Sequence, residues 1–551
     1  ELHRSTLQIR CRNRGDRYKD IVGDLNEQIR KNRQAFSNYT MIRMREALRY
    51  FAPDKLTLFL KIPFYLHINY DRYPGYVRTR SRPYGIWQFE QSGFYREAVL
   101  NNYFPKSVTE TCSTDNPAIL GLYHIGSLGT FTQSAGSDFD YWVIIDKKKF
   151  SSERYESLEK KLDGVAAHCR VKYNQKVSFF IMGHKEIRSD TYLPFTGTET
   201  LTAPRIFLKE EFYRTFLMIA GKTPVWAVLP VEFSRASSYD SQAQVSRIIA
   251  MNDDLIDLGQ IGDIPDSDLL KGLLWHICKS KADPVKALIK ATMIFSYGFG
   301  VQRSGLLLCD KLKKEYGRAG IDDYRVDPYK VVFDQILNFC EKEEPQDFNL
   351  IKNAVFFRLC GYPDIRMPDK DSPKRLLLDR YIRLWRLNKN QVSKLLSYTQ
   401  WSESEKLVLD RSIVRRLDRM ANQAVKKLDP ALVKKQRMKK NWVILNHKTR
   451  ERLSEANHKI RECSFFLKQK KFDRLNIRQE KKHFCIRLFL NDGEELSERF
   501  THETLMGAVG WVMGNQLYRR QNTEFSLAAD CSLFESSDRP VTLDQLYLSF
   551  A

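Results

Sequence analysis

The sequence predicts an α+β protein: a mixed-sheet domain, then a largely helical region, then a basic α+β region at the C-terminal end. Three observations lead there. Between about residues 118 and 230, short apolar runs alternate with charged amphipathic stretches, the pattern of strands and helices that share one sheet. From Asp253 onward the apolar period lengthens to that of helices and stays there. After about Lys434, alternating segments return, embedded in lysine and arginine. The 551 residues, 42% of them hydrophobic, supply apolar surface for two or three cores. The expected division is 1–55 as an N-terminal helical segment, 56–250 as the sheet domain carrying the chemistry, 251–370 as a helical domain completing its site, and 371–551 as the basic region.

Taken in order, Tyr18 to Phe51 places Ile21, Leu25 and Ile29 at helical spacing with charges opposite, which predicts a helix. Phe59 to Tyr84 holds Pro63, Pro74-Gly75 and Pro83 and reads as irregular chain ordered by its aromatics. Ala118 to Ile125 reads as a strand ending on Gly126, and a polar stretch leads from Ser127 to a second strand at Phe139 to Ile145. A helix is expected over Ser152 to His168 and a third strand over Val177 to Met182, followed by mostly irregular chain to Ala203. Glu210 to Ala220 reads as a helix stopped by Gly221, and Pro224 to Pro230 as a short β-rich run. Asp268 to Cys278, Pro284 to Tyr297 and Tyr329 to Cys340 are the clearest later helices, with more over Lys374 to Lys427. Phe465 to Leu490 alternates and runs into Asn491-Asp-Gly, a hairpin-type turn.

The formal net charge is +23, which points to nucleic acid, an acidic membrane surface or a polyphosphate ligand. About 20 of those charges lie between Asp371 and Leu490, densest at Lys434 to Lys440, so the sheet domain itself is not unusually basic. Solvated helix faces are the other reading of that run. The ten cysteines form no C-x-x-C pair and have no histidines at zinc-ligand spacing, so reduced thiols and no structural zinc are expected. The apolar run Leu56 to Tyr65 is too short to span a bilayer, and Lys61 and Pro63 interrupt it. No charged-then-apolar leader is visible, and a cytoplasmic location is expected.

Chemistry concentrates in Gly126-Ser-Leu-Gly-Thr-Phe-Thr-Gln-Ser-Ala-Gly-Ser-Asp-Phe-Asp-Tyr-Trp-Val. Gly126 lets backbone approach a ligand closely, and Ser127 with the following amides is expected to cradle phosphate oxygens at a helix N-terminus. Asp138 follows eleven residues after Ser127, then Asp140. Alternation along a strand sends Asp138, Asp140 and Trp142 to one side and Phe139, Tyr141 and Val143 to the other. Two carboxylates at that spacing suit two Mg²⁺ or Mn²⁺ ions that bridge to triphosphate oxygens. A surface turn beside an exposed strand is the bland alternative. A third acid is expected from the neighbouring strand, but Gln175 to Phe180 contains none; Glu186, Asp190 and Glu199 lie beyond it, and spacing does not choose among them.

A Gly-Ser, a spacer of about ten and an apolar-flanked D-x-D resemble the signature of the polymerase-β-like nucleotidyltransferases. The stretch Tyr123-His-Ile-Gly-Ser…Gln133-Ser…Ser137-Asp-Phe-Asp-Tyr-Trp-Val is similar, more specifically, to the active-site signature of class I bacterial adenylate cyclases of the enterobacterial type. Flanking blocks fall in the same order: Leu66-His-Ile-Asn-Tyr, Val177-Ser-Phe-Phe, Glu211-Phe-Tyr-Arg-Thr, Asp257-Leu-Gly, Leu274-Trp-His-Ile-Cys-Lys-Ser and Pro284-Val-Lys-Ala-Leu-Ile-Lys. The similarity covers roughly residues 55 to 340 and does not extend to the basic region.

That resemblance implies a nucleotidyltransferase-type mixed sheet and conversion of ATP to cyclic AMP and pyrophosphate. It implies that Asp138 and Asp140 hold the metals, that Gly126, Ser127 and Ser137 hold the triphosphate, and that Trp142 shapes the nucleotide pocket. Arg214, in a matched block, is a candidate substrate contact or a partner of Glu210 or Glu211. Lys279, Lys286 and Lys290 are candidate contacts to pyrophosphate or members of a solvated face; Lys286 and Lys290 share one side of a helix. His124 stands where enterobacterial members carry a small hydroxylated residue, and it reads as packing. The basic region suggests a regulatory protein or another anionic partner; nucleic acid is not the expected one. Two other functions share the motif: a template-independent nucleotidyltransferase acting on RNA, and a non-catalytic nucleotide-binding protein.

Overall fold

A computed structural model describes residues 27–110, 114–191, 204–231, 246–299, 307–318, 326–427, 443–444, 447, 460–490, 493–496, 500–518 and 523–527. The architecture is mixed α+β, dominated by helices, with two four-stranded sheets. Within the described residues no helix is long and apolar enough to cross a membrane.

The first sheet has the order β3-β2-β1-β4, from β1 (Gly121–Ile125), β2 (Phe139–Ile145), β3 (Val177–Gly183) and β4 (Leu217–Gly221). β1 runs antiparallel to both β2 and β4, while β2 and β3 are parallel. A parallel pair needs a long crossover. Helix α3 (Ser152–Tyr173) supplies it, starting on a Ser151 side chain that accepts from Arg154 N–H and ending at Asn174 in the left-handed region.

Alternation along β2 divides two cores. Phe139, Tyr141, Val143 and Ile145 join residues of α3 and of α2 (Pro53–His67), including Leu58, Phe59, Ile62, Leu158 and Leu162. Trp142 and Ile144 face the other way, into a core shared with α4 (Arg205–Thr215) and the helical region. That region includes α5 (Asp266–Lys279), α6 (Pro284–Phe299), α7 (Pro328–Glu343), α8 (Phe348–Leu359), α9 (Pro373–Leu384) and α10 (Glu403–Lys427), with two shorter helices at Leu308–Tyr316 and Lys389–Leu396. An N-terminal helix, α1 (27–49), lies against the sheet domain through Phe36, Tyr39 and Arg43.

The second sheet has the order β8-β5-β6-β7, from β5 (Phe472–Glu480), β6 (His483–Leu490), β7 (Phe500–His502) and β8 (Glu524–Leu527). Leu475, Ile477, Ile486 and Leu488 form a separate core with Val509 and Val512 of α11 (Leu505–Gly514). The joint to the rest of the molecule is polar as well as apolar. Ser464 Oγ donates to Glu403 at 2.7 Å and Phe465 N–H to Asp410 at 2.8 Å, while Phe465 and Phe466 enter the large core.

Three expectations are corrected. Pro53–His67 is helical, with Pro63 inside it, because a nearly continuous apolar run from Leu58 to Leu66 is buried, and burial outweighs the lost N–H. The expected helix to Ala220 ends at Thr215; Leu217–Gly221 is the fourth strand, and Gly221, at φ +97°, closes that strand rather than a helix. Val225–Val228 is a helical turn, preceded by only two strand residues, Thr223–Pro224. The run Lys434 to Lys440 lies outside the described residues.

Candidate active site

β1 delivers the chain into Gly126 at φ +98°, a conformation suited to glycine, and nothing lies within 4 Å of where a Cβ would stand. The backbone there borders open space. The loop from Ser127 to Ser137 is not a helix N-terminus, as expected from sequence, but a chain of turns: Thr130 N–H donates to Ser127 O, Gln133 N–H to Thr130 O and Ser137 N–H to Ser134 O. Ser127 Oγ donates to Ser137 Oγ at 3.1 Å, which ties the start of the loop to its end.

Residues remote in sequence set the loop's shape. Arg43 of α1, fully buried, donates to Gly129 O, Leu128 O and Thr215 O at 2.5, 2.7 and 2.9 Å. Gln133 accepts from Gly129 N–H at 2.7 Å and donates to Ala47 O at 3.0 Å. From the helical region, Asp327 accepts Phe131 N–H at 3.0 Å while also capping α7, and Lys374 donates to Gln133 O at 3.2 Å. Burial pushes the Asp327 carboxyl up to about 6, against the hydrogen bonds and the Arg43 charge that oppose it.

Asp138, Asp140, Trp142, Gly126, Ser127 and Ser137 all line one cleft of about 1180 Å³ between the sheet and the helical region. Asp138, just ahead of β2, is exposed and pairs with Lys176 at 3.1 Å. Asp140 sits opposite Ser178 in the β2–β3 register. Burial and then the charge of Asp138 raise its carboxyl above the usual range, partly offset by a hydrogen bond from Ser178 and by Lys176 and Lys286. Two acids thus share a cleft wall, and the more buried one resists ionising beside the other. An oxygen-rich, partly open donor set of this kind fits Mg²⁺ or Mn²⁺. Trp142 stacks on Phe212 at 4.3 Å with planes 6° apart, forming the floor beside the acids.

The opposite wall is cationic. Lys286 opens onto the cleft, and the protein crowding its sides lowers its ammonium, helped by Lys290. Lys290 is buried and bonded to Glu211 at 2.5 Å; burial alone would lower its ammonium, but Glu211 holds it above the ordinary value. Glu211 in turn is held at about 2, since Lys290 and Arg214 outweigh its own burial. Arg358 reaches Asp283 at 3.4 Å, and His276, which burial pushes down to about 3, is neutral.

Two sequence candidates are not brought to the cleft. Arg214 is fully buried and bonded to Glu210 at 3.1 Å, one turn back on α4. Lys279 lies over the Trp275 ring at 4.8 Å and is absent from the lining. The expected third acid is also not where it was sought. Glu186 follows the far end of β3 and approaches Lys147, and Asp190 bonds Lys209 at 2.8 Å; Glu199 lies outside the described residues. Among the described residues no three His, Cys, Asp or Glu side chains gather as metal ligands. Glu211, Asp327 and Lys374 escape a sequence reading because their roles arise only where distant segments meet. His124 is fully buried with its ring edge-on to Tyr141 at 5.3 Å, and burial pushes it down to about 3, so it packs as a neutral ring.

The family model "Adenylate cyclase NT domain" matches residues 28–227, and "Adenylate cyclase, class-I, second domain" matches residues 264–464. The chain is similar to the adenylate cyclase of Haemophilus influenzae, 26% identical over 50% of this chain and 34% of that protein. It is similar to those of Shigella flexneri and Escherichia coli K12, 25% and 24% identical over 70% of this chain and 44% of each. The chain therefore spans less than half the length of the curated relatives it matches. No solved structure matches it.

Proposed function

The chain belongs to the class-I adenylate cyclase family, and from that premise we propose that it converts ATP to 3′,5′-cyclic AMP and pyrophosphate in the cleft that Asp138 and Asp140 line. The observation that carries the reading is the meeting, in one cavity, of this carboxylate pair, the open Ser127 loop and a cationic wall from the second family segment. The same reading assigns the first sheet to the nucleotidyltransferase type and places the enzyme in the cytoplasm.

Asp138 and Asp140 would hold two divalent ions, Mg²⁺ or Mn²⁺. When bound, these supply Lewis-acid activation of the ribose 3′-hydroxyl and neutralise charge at the α-phosphate. The chain's own residues do the rest. Gly126, Ser127 and Ser137 border the triphosphate and the two hydroxyls bind its oxygens, which the open space at Gly126 allows. Trp142, fixed by its stack on Phe212, forms a rigid edge to the nucleotide pocket. Lys286, with Lys290 behind it in the cleft lining, would offset the negative charge that accumulates on the leaving pyrophosphate. Cyclisation further requires the ribose folded beneath the α-phosphate with no other acceptor present, a matter of orientation and excluded competitors. The basic region from 371 to 551 would meet a regulatory protein or another anionic partner.

Incubating the purified chain with labelled ATP and Mg²⁺ or Mn²⁺, with and without RNA, tests this reading. Cyclic AMP formed without RNA is expected. Label transferred to RNA would replace it with a transferase, and ATP bound without turnover in either metal would leave a binding protein.

A further inference from the structure

Lys374 is a buried cation in an unfavourable place. It is only 5% exposed and occupies the first turn of α9, just after Pro373, where the helix dipole opposes positive charge. Among the described residues no carboxylate stands within ion-pair distance of it. Its ammonium touches one acceptor, Gln133 O at 3.2 Å, and lies over the Tyr50 ring at 4.2 Å. A buried ammonium with one neutral acceptor is costly, and a nearby anion would relieve that cost. The side chain lines the same cleft as Ser127 and Asp138.

We propose that Lys374 binds the polyphosphate of the nucleotide, contributed to the cleft by the helical region; the inference rests on reading the cleft as an ATP site. Three donors on the ammonium leave two for phosphate oxygens once Gln133 O is served. The polyphosphate would then bridge the Ser127 loop and α9, so that substrate itself joins the two family segments.

Titration supports the same assignment. Burial pushes the Lys374 ammonium down to about 8. The charged and titratable groups around it are Glu46 and Tyr50 at the end of α1, Asp327 before α7, and Arg358 and Cys360 at the end of α8; Glu46, Asp327 and Cys360 favour the ammonium, and Arg358 opposes it. Bound polyanion favours the charged form. Affinity is therefore highest below about pH 8 and falls as the free protein loses that proton.

The test uses 3′-deoxy-ATP with Mg²⁺, which lacks the attacking hydroxyl, in equilibrium titrations from pH 7 to 9.5. If ATP raises the Lys374 pKa by one unit, Kd for the full chain rises about tenfold across the alkaline range. Lys374→Arg should keep tight binding throughout, and Lys374→Met should bind about tenfold weaker at pH 7 with a profile clearly shallower than the wild type's. A Lys374→Met profile as steep as the wild type's would assign the effect to Lys286 and overturn the proposal, as would wild-type affinity in that variant. Should Lys374→Met not fold, a Lys374→Arg profile as steep as the wild type's overturns it instead. Turnover of ATP is read separately. The expected binding pattern without cyclic AMP would sink the cyclase reading and leave Lys374 as assigned; cyclic AMP with an unaffected Lys374→Met would do the reverse, and no nucleotide binding would overturn both.

Discussion

Asp138 and Asp140 are two residues apart at the edge of one cleft, yet their surroundings differ: the first is exposed and paired with Lys176, the second largely enclosed and hydrogen-bonded by Ser178. If both hold the metals, neither is dispensable. Asp138→Ala and Asp140→Ala are each expected to lower kcat at least about a thousandfold, since each removes a ligand from charge-stabilising chemistry. A variant keeping more than about a tenth of the activity would sink the assignment. Glu211 allows a second prediction at this scale. Its carboxyl is held at about 2, so its ionised form stabilises the fold above the usual carboxylate range, and that stability is lost as pH falls from about 5 toward 2. Glu211→Gln should cost about 2–3 kcal/mol at pH 7 in denaturant unfolding, with the gap to wild type narrowing below pH 5. A gap independent of pH would show that packing, not charge, sets Glu211's contribution.

The loop between β1 and β2 is an element without regular structure, and its order comes from hydrogen bonds to groups outside it. Arg43 satisfies three carbonyls at once; removing it leaves acceptors buried without partners, at about 1–3 kcal/mol each. Arg43→Met should therefore lose at least about 3 kcal/mol of stability and, because the loop relaxes, most of the turnover. A loss below about 1 kcal/mol would contradict this account of the loop. β2 itself was legible from sequence, because alternation of acids and apolar residues is a local signal that needs no partner. β4 was not: Leu217–Gly221 follows α4 with one intervening residue, and only pairing with β1 distinguishes it from more helix. The holders of the loop were also hidden. Asp327 and Lys374 lie 196 and 241 residues from the loop atoms they bond, and no periodicity encodes such a meeting. The acid pair could be read from spacing; the cationic wall's pairing of Lys290 with Glu211, and the burial of Arg214, could not.

Across the whole molecule, the sheet's cleft-side core and the helical region form one apolar cluster that continues through α9 and α10. Ending the chain at Arg366 would remove Leu377, Leu378, Tyr381, Ile413, Leu417 and Met420 from it, each contributing about 1.5–3 kcal/mol by burial. That sum is comparable to the total stability of a domain, so this truncation should fail to melt cooperatively. A chain ending at Lys427 keeps those residues and loses the Phe465 and Phe466 contacts, and should still unfold cooperatively, at a lower Tm. A soluble, sharply melting chain that ends at Arg366 would show the later helices to be an appendage. The small sheet beyond residue 460, with its own core, is in that respect a different kind of neighbour from α9 and α10. The way the loop is held also has a meaning in time. A ribosome releases Arg43 first, the loop itself next, and Lys374 only 241 residues after Gln133. Translation proceeds at about 5–20 residues per second. The completed sheet, with both acids, therefore waits roughly 10–30 seconds for the residue that supplies the loop's last fastening, so the loop reaches its final shape only after its neighbours on the sheet are already made.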